Sequence, residues 1–323
     1  MDETFYKLKK SKMKSKIFFV LFFSLLLVWM CGNKKEPATE NSSQKDLSVK
    51  FPIKGEIVFQ SNLDGDNEIY SISNIGLKKL TDNTWEDEHP IWSPDGKKIA
   101  FTANPEGNYD IFTMNADGSN ITQLTSFPLD ENWATWFPDG KSIIFTRQIK
   151  KFLRKSVQVY RMNLLTQKIE RIIPQYSKGL VIPHLSPKAS LLTFTGKRTI
   201  GWDVAVFDMN KNELKFLDEG GKSCRARFSK DGKKLAYVSS KADKKGDIWL
   251  MNPDGSEKTR LTKRDDTYDY FPSWSPDNNY IVFNSSHQHD HNGDWKLYIV
   301  EVKSSDLFLL FDSPGNDVFP DWR

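Results

Sequence analysis

From about residue 54 onward, apolar residues either alternate with polar ones or gather in short runs, each bounded by Pro, Asp, Gly or Asn. That is the period of strands and turns, not of helices. One phrase recurs: HPIWSPDGKKIAF from His89, ATWFPDGKSIIF from Ala134, ARFSKDGKKLAY from Ala226 and PSWSPDNNYIVF from Pro272, with a weaker copy, PHLSPKASLLTF, from Pro183. Each leads to a second phrase, DIFTMN at Asp110, QVYRMN at Gln158, DVAVFDMN at Asp203, DIWLMN at Asp247 and KLYIVEV at Lys296. The repeat is about 42 to 47 residues long, the period of propeller blades.

Within one copy the pattern predicts a first strand ending at Trp92, a second over Lys98–Ala103, a third over Asp110–Met114 and a fourth over Ile121–Leu124. Asp-Gly pairs at 95–96 and 117–118 supply turns, because Asp folds back on its own backbone and Gly accepts positive φ. Trp92, Trp136, Leu185, Phe228, Trp274 and Trp322 occupy one place in the phrase and are expected to wedge between neighbouring blades. Glu56–Gln60, Asn67–Ile72 and Leu77–Thr81 read as second, third and fourth strands with no first strand before them. Asn316–Arg323 reads as a first strand with nothing after it. Joined, they make one blade. The expectation is an all-β, six-bladed β-propeller of four-stranded antiparallel blades, its ring closed by the C-terminal strand pairing with the N-terminal blade, so that no open sheet edge is left.

The sequence WSPDGKKIAF…DIFTMNADG…LT resembles the WD40-like repeat of TolB-type six-bladed propellers over roughly Lys54 to Arg323. The resemblance implies the fold and a bacterial envelope location. It also implies a non-catalytic protein-binding platform. TolB proteins carry an α/β domain before the propeller, and related repeats precede prolyl-oligopeptidase hydrolase domains. Neither is expected within this sequence.

Lys7, Lys9, Lys10, Lys12, Lys14 and Lys16 precede an apolar run, Ile17–Met30, and then Cys31. The run is shorter than the roughly 20 residues of a bilayer span, so it reads as an export signal. With its cysteine it resembles a bacterial lipoprotein signal, although Met30 stands where a small residue is usual. The resemblance implies acylation of Cys31. Gly32 follows the cysteine instead of Asp, which favours the outer membrane. The expected division is a signal peptide over 1–30, a polar disordered tether over 31–53 and the propeller over 54–323.

The chain has a net charge of +4. Residues 1–30 carry six Lys against Asp2 and Glu3, also +4, so the remainder is neutral and a nucleic-acid-binding surface is not expected. The two cysteines, Cys31 and Cys224, are not expected to pair. No GxSxG, HExxH or phosphate-loop motif occurs, so neither catalysis nor a cofactor is expected. The alternating His287, His289 and His291 form one weak metal candidate, since alternate residues of an extended chain share a side.

Sorting loops by their place in the repeat is more informative. Loops between second and third strands are basic in blades three to five: Arg147, Lys150, Lys151, Arg154 and Lys155 around Phe152, then Lys197 and Arg198, then Lys241, Lys244 and Lys245. The starts of first strands are acidic, with Glu86, Asp87, Glu88, Asp130, Glu131, Asp269 and Asp317. This predicts a docking face with an acidic channel mouth, a basic arc and Phe152 as its apolar anchor. The expected protein is a monomeric, membrane-anchored envelope lipoprotein on the periplasmic side of the outer membrane. Its partners would be envelope proteins, peptidoglycan-associated ones included. The alternatives are a glycan-acting lyase or hydrolase with a metal at His287–His291, and a surface adhesin or receptor.

Overall fold

The computed structural model describes residues 51–151, 154–175, 179–218, 220–289 and 294–323. They build six four-stranded antiparallel sheets. Blade 1 combines Asp317–Trp322 with Ile57–Ser61, Glu68–Ser73 and Gly76–Lys79. Blade 2 holds Asp87–Trp92, Lys98–Ala103, Asp110–Asn115 and Thr122–Gln123. Blade 3 holds Glu131–Trp136, Ser142–Lys151, Arg154–Asn163 and Ile169–Ile172. Blade 4 holds Leu180–Leu185, Leu191–Lys197, Trp202–Asp208 and Glu213–Phe216. Blade 5 holds Ser223–Phe228, Leu235–Ser239, Asp247–Met251 and Thr259–Arg260. Blade 6 holds Tyr268–Trp274, Tyr280–Ser286, Lys296–Glu301 and Leu307–Phe311.

The turn after each first strand shows why the repeated SPDG works. In blade 2 the Ser93 hydroxyl donates to Asp95 Oδ1 at 2.7 Å, and Asp95 Oδ1 also accepts the Lys97 N–H at 3.1 Å. Gly96 completes the turn at φ 66°, a value that costs glycine nothing. The degenerate copy keeps the geometry without the glycine, with Ala189 at φ 54°.

The apolar residues form six clusters, and each lies between two blades. Ile91, Ala100 and Ile111 of blade 2 pack on Trp136, Ile143 and Phe145 of blade 3. Ala236, Val238 and Ile248 of blade 5 pack on Trp274, Ile281 and Phe283 of blade 6. The expected wedge residues, Trp92, Trp136, Leu185, Phe228, Trp274 and Trp322, are all at most 6 % exposed. Indole N–H groups bind the neighbouring blade as well, Trp136 to the Ile91 carbonyl at 3.3 Å and Trp274 to the Arg227 carbonyl at 3.1 Å.

Closure occurs where the sequence placed it. The strand Asp317–Trp322 pairs antiparallel with Ile57–Ser61, with Trp322 opposite Ile57 and Asp317 opposite Ser61. Glu56 and Arg323 exchange backbone hydrogen bonds at 3.1 and 3.0 Å, and Arg323 Nη2 meets Glu56 Oε2 at 2.6 Å. Phe51 and Ile53 fall outside the expected propeller span yet pack on it. Ile53 is 1 % exposed in the core between blades 1 and 6, and Phe51 packs on Tyr280 and Phe308. The packed unit therefore begins before residue 54.

Blade 3 departs from the expected loop. The basic residues around Phe152 are expected in a loop, but Ser142–Lys151 and Arg154–Asn163 are strands of ten residues each. Second strands elsewhere have five to seven. At about 3.3 Å per residue, the surplus extends this hairpin roughly 10–15 Å beyond the blade.

Because Trp322 is 2 % exposed in the closing core, Trp322→Ala is expected to lower stability by about 3–5 kcal/mol. Removing residues 316–323 should abolish a single cooperative unfolding transition. Denaturant melts followed by tryptophan fluorescence check both, and an unshifted midpoint in either variant contradicts the role given to closure.

Candidate functional site

Every first strand borders the central channel with the same irregularity. Two residues oppose one residue of the second strand: His89 and Pro90 against Phe101, Trp133 and Ala134 against Phe145, Ile182 and Pro183 against Phe194. Arg225 and Ala226 face Tyr237, Phe271 and Pro272 face Phe283, and Phe319 and Pro320 face Phe59. The first residue of each pair has a φ between 54° and 60°. This is a β-bulge whose left-handed position usually takes glycine. Here six residues with side chains hold it, and four of them precede Pro, which restricts them further. The opposing aromatic rings, each at most 1 % exposed, back the bulge in all six blades.

Those six side chains close the channel. His89 and Trp133 lie 3.6 Å apart between ring centroids, His89 and Phe319 4.4 Å, Phe271 and Phe319 4.0 Å. Trp133 and Phe271 are parallel within 10° at 6.1 Å. Arg225 lies over Phe271 at 4.5 Å and Tyr270 at 4.7 Å. Ile182 and Arg227 line a small void beside His89, Trp133 and Phe319. Burial pushes the His89 imidazole down to about 3, with Arg227 adding to it, so the ring is neutral. Among the described residues its Nδ1 has no hydrogen-bond partner, and Glu88 Oε2 stands off at 3.9 Å. His184 is likewise held neutral by burial, and its Nδ1 accepts the Phe228 N–H at 3.3 Å.

Above this plug, on the face of the loops between second and third strands, opens a cavity of about 770 Å³. Blade 2 contributes Glu86, Glu88 and Tyr109, blade 5 contributes Arg225, and blade 6 contributes Tyr270 and Trp295. Asn67 binds both carboxylates, through its N–H to Glu86 Oε2 at 3.1 Å and its side chain to Glu88 Oε1 at 3.2 Å. Burial and these two acids raise the Tyr109 phenol, keeping it protonated. Below the plug a second cavity, of about 450 Å³, includes His184, Lys230 and Asp321. Asp321 is paired with Arg227 at 2.5 Å.

The acidic mouth was half legible. Glu86 and Glu88 line it, but Asp87, Glu131, Asp269 and Asp317 are 0–1 % exposed and are not available to a partner. Successive strand residues point to opposite faces, so a step of one position moves a carboxylate from the channel into the blade junction. There Glu131 accepts from Arg147 Nε at 2.5 Å, and Asp269 accepts from Arg264 Nη2 and the Ser285 hydroxyl, both at 2.6 Å. Asp317 accepts from the hydroxyls of Ser61 at 2.7 Å and Ser313 at 2.9 Å, and Asp87 accepts from the Asn83 amide at 2.7 Å. Acids on third strands adjoin them. Asp110, Glu131, Asp87 and Asp317 are all raised by burial, Asp317 to about 6. Asp247 is pushed up to about 7 by burial, against the pull of Arg260 at 3.0 Å.

The basic arc is partly consumed in the same way. Arg147 is bound to Glu131, Arg198 lies 3.8 Å from Asp203, and Lys241 is bound to Asp218. Lys150 and Lys197 are exposed, Lys197 with its Nζ 5.7 Å from the Trp202 ring. Lys151, Arg154 and Lys155 belong to the blade 3 hairpin, whose register sets Lys150 opposite Lys155 and Lys151 opposite Arg154. Phe152, His291 and Cys31 lie outside the described residues. Instead, Ile200 and Trp202, 78 % and 38 % exposed beside Arg198, present apolar surface on blade 4 that sequence reasoning passed over. His287 pairs with Asp266 at 3.3 Å, while His289 lies edge-on to Tyr268 and lines the mouth. Among the described residues, no three His, Cys, Asp or Glu side chains converge as metal ligands. The residues that close the channel were also missed. Their signal was the residue before the Pro or Ala of each first strand.

The family described as the TolB beta propeller domain matches residues 47–177, 85–226 and 168–307. The uncharacterized protein Atu1656 of Agrobacterium fabrum is 26 % identical over 265 residues, 79 % of this chain and 87 % of that one. Among solved structures, TolB from Acinetobacter baumannii superposes with a TM-score of 0.71 at 20 % identity, over 85 % of this chain and 68 % of that one. The putative TolB from Agrobacterium tumefaciens gives 0.66 at 20 % identity, over 85 % and 94 %.

The junction carboxyls set a pH dependence. A carboxyl raised in the fold stabilises it fully below its ordinary value, 3.8 for Asp, and loses that contribution as pH rises through the folded value. For Asp247 the window runs from 3.8 to about 7, at up to about 1.4 kcal/mol per pH unit. His89 and His184 act oppositely, since their lowered values protect the fold above 6.5 and cease to as pH falls. Asp247→Asn removes only the first contribution. Thermal melts at pH 5 and pH 8 should show this variant gaining on the parent as pH rises. A constant difference between the two contradicts the assignment.

Proposed function

The chain belongs to the TolB beta-propeller domain family, and from that premise we propose that it is a non-catalytic, membrane-tethered binding platform of the bacterial envelope. Its partner is a protein, captured on the face that carries the mouth and the blade 3 hairpin. The observation that carries this reading is the register of that hairpin. Lys150 faces Lys155 and Lys151 faces Arg154 across the strand pair, and like charges directly opposite destabilise a sheet. Stability gives no reason for two such pairs at the tip of an extended arm. An acidic partner does, because it relieves the repulsion and gains long-range attraction. Trp202 and Ile200 on the neighbouring blade supply exposed apolar surface for the contact once it forms.

The leader supports the tether. A basic flank, a short apolar core and Cys31 resemble a lipoprotein signal, with Met30 its departure from the usual pattern, and several acyl chains hold a membrane where one does not. The polar segment after Cys31 gives the propeller reach from an outer-membrane anchor on the periplasmic side.

Two experiments test the reading. In cells crosslinked before lysis, reversing Lys150, Lys151, Arg154 and Lys155 to Glu should remove the captured protein, and capture by the parent should weaken steeply with salt. An unchanged profile rejects the docking face. Cells fed an alkyne-bearing fatty acid should label the parent chain and not Cys31→Ser. Equal labelling, or none in the parent, rejects the anchor.

A further inference from the structure

Most arginines of the ring are paired with a carboxylate; Arg161 and Arg171, on the outer strands of blade 3, bind the Ser142 hydroxyl and the Pro174 carbonyl instead. Arg147, Arg198, Arg227, Arg260, Arg264 and Arg323 each meet an Asp or Glu. Arg225, on the wall of the mouth cavity, meets no carboxylate among the described residues. Its guanidinium lies on the faces of Tyr270 and Phe271, its Nη1 reaches only the Cys224 sulfur at 2.7 Å, and its Nε is buried with no hydrogen-bond partner. A guanidinium stays charged at any physiological pH and presents a planar fork that fits a carboxylate. Two flanking rings strip water from it, and strong positive φ (58°) fixes its backbone in the channel wall.

The amides around the same cavity are also oriented. Gln60 Oε1 accepts the His89 N–H at 3.1 Å, Asn62 Oδ1 the Asn316 N–H at 2.7 Å and Asn284 Oδ1 the Phe319 N–H at 3.4 Å. Each carbonyl oxygen is thereby committed to the backbone. Each side-chain NH2 group is left as a donor with no protein partner among the described residues. Across the ring, three blades from Arg225, Glu86 and Glu88 are acceptors. The floor is aromatic, with Trp133 and Phe271 parallel within 10° and Phe319 steeply inclined to both. At about 770 Å³, the bowl falls in the range of about 300–1,000 Å³ that encloses small ligands.

We propose that this bowl binds a short saccharide bearing a carboxylate, a uronic-acid sugar, with the acid group on Arg225. The ligand must be compact, must offer an apolar face to the floor, and must carry hydroxyls that accept from the amides and donate to Glu86 and Glu88. It must also bring one carboxylate. A sugar acid has all four properties in one ring. An acidic peptide supplies the carboxylate but not the ring of hydroxyls.

The test uses the purified propeller, and no protein partner is needed, so its result is independent of capture at the blade 3 arm. Isothermal titration would compare trigalacturonate, its carboxyl-reduced neutral counterpart and triglutamate. Trigalacturonate should bind at least tenfold more tightly than either, and Arg225→Gln should weaken it tenfold or more while leaving the neutral sugar unchanged. The parent comparison decides the matter even where the variant does not fold. The proposal is overturned if trigalacturonate does not bind, if the neutral sugar binds equally, if triglutamate binds more tightly, or if a folded Arg225→Gln variant binds like the parent.

Discussion

The structure depends on one strand pairing between chain ends. Bringing Asp317–Trp322 against Ile57–Ser61 closes a loop of the whole ring, and that entropy grows only slowly with length. The contacts at the joint are correspondingly dense. Asp321 Oδ2 accepts the Trp92 N–H at 2.8 Å, and its Oδ1 accepts Arg227 Nη1 at 2.5 Å and the Ser273 hydroxyl at 3.1 Å. One carboxylate of blade 1 thus touches blades 2, 5 and 6. Arg323 stacks over Trp92 at 3.8 Å and binds the Gly96 carbonyl. A displaced terminal strand would open two sheet edges and also release the hub that fixes blades on opposite sides of the channel.

With the ring held, the same backbone irregularity recurs six times and the residue it carries is free to differ. His89, Trp133, Ile182, Arg225, Phe271 and Phe319 share a φ near 55–60° and nothing else. Such conformations cost about 1–3 kcal/mol each and persist where the surroundings impose them. Here the imposing groups are the second-strand aromatics Phe59, Phe101, Phe145, Phe194, Tyr237 and Phe283, which do not vary beyond Phe and Tyr. Scaffold and specificity are therefore divided between adjacent strands. The second strand fixes the bulge, and the first decides what the channel presents.

This division explains what the sequence disclosed. Blade number, strand order and the wedge residues were legible because each follows from a local pattern repeated along the chain. The mouth was not, because it depends on which side of a strand a residue falls. Asp87 and Glu88 look alike in sequence, yet one is sealed in a blade junction and the other lines the cavity. The bulge was visible as a residue before Pro or Ala in every first strand, but only assembly of the ring shows that the six residues meet. The blade 3 connection was misjudged since its charge suggested a loop, whereas backbone pairing continues from Ser142 to Lys151.

Arm and bowl act over different distances. On the proposed reading, the charges of the hairpin attract a partner across several ångströms and are screened within about 8 Å at physiological ionic strength. Arg225, half-buried between aromatic rings, is shielded from salt and interacts strongly only with what enters the cavity. On the proposed readings the arm governs encounter and the bowl governs selection. The two meet in blade 3, whose first strand supplies Trp133 to the floor of the bowl and pairs, at Glu131 and Asn132, with the strand that runs into the arm.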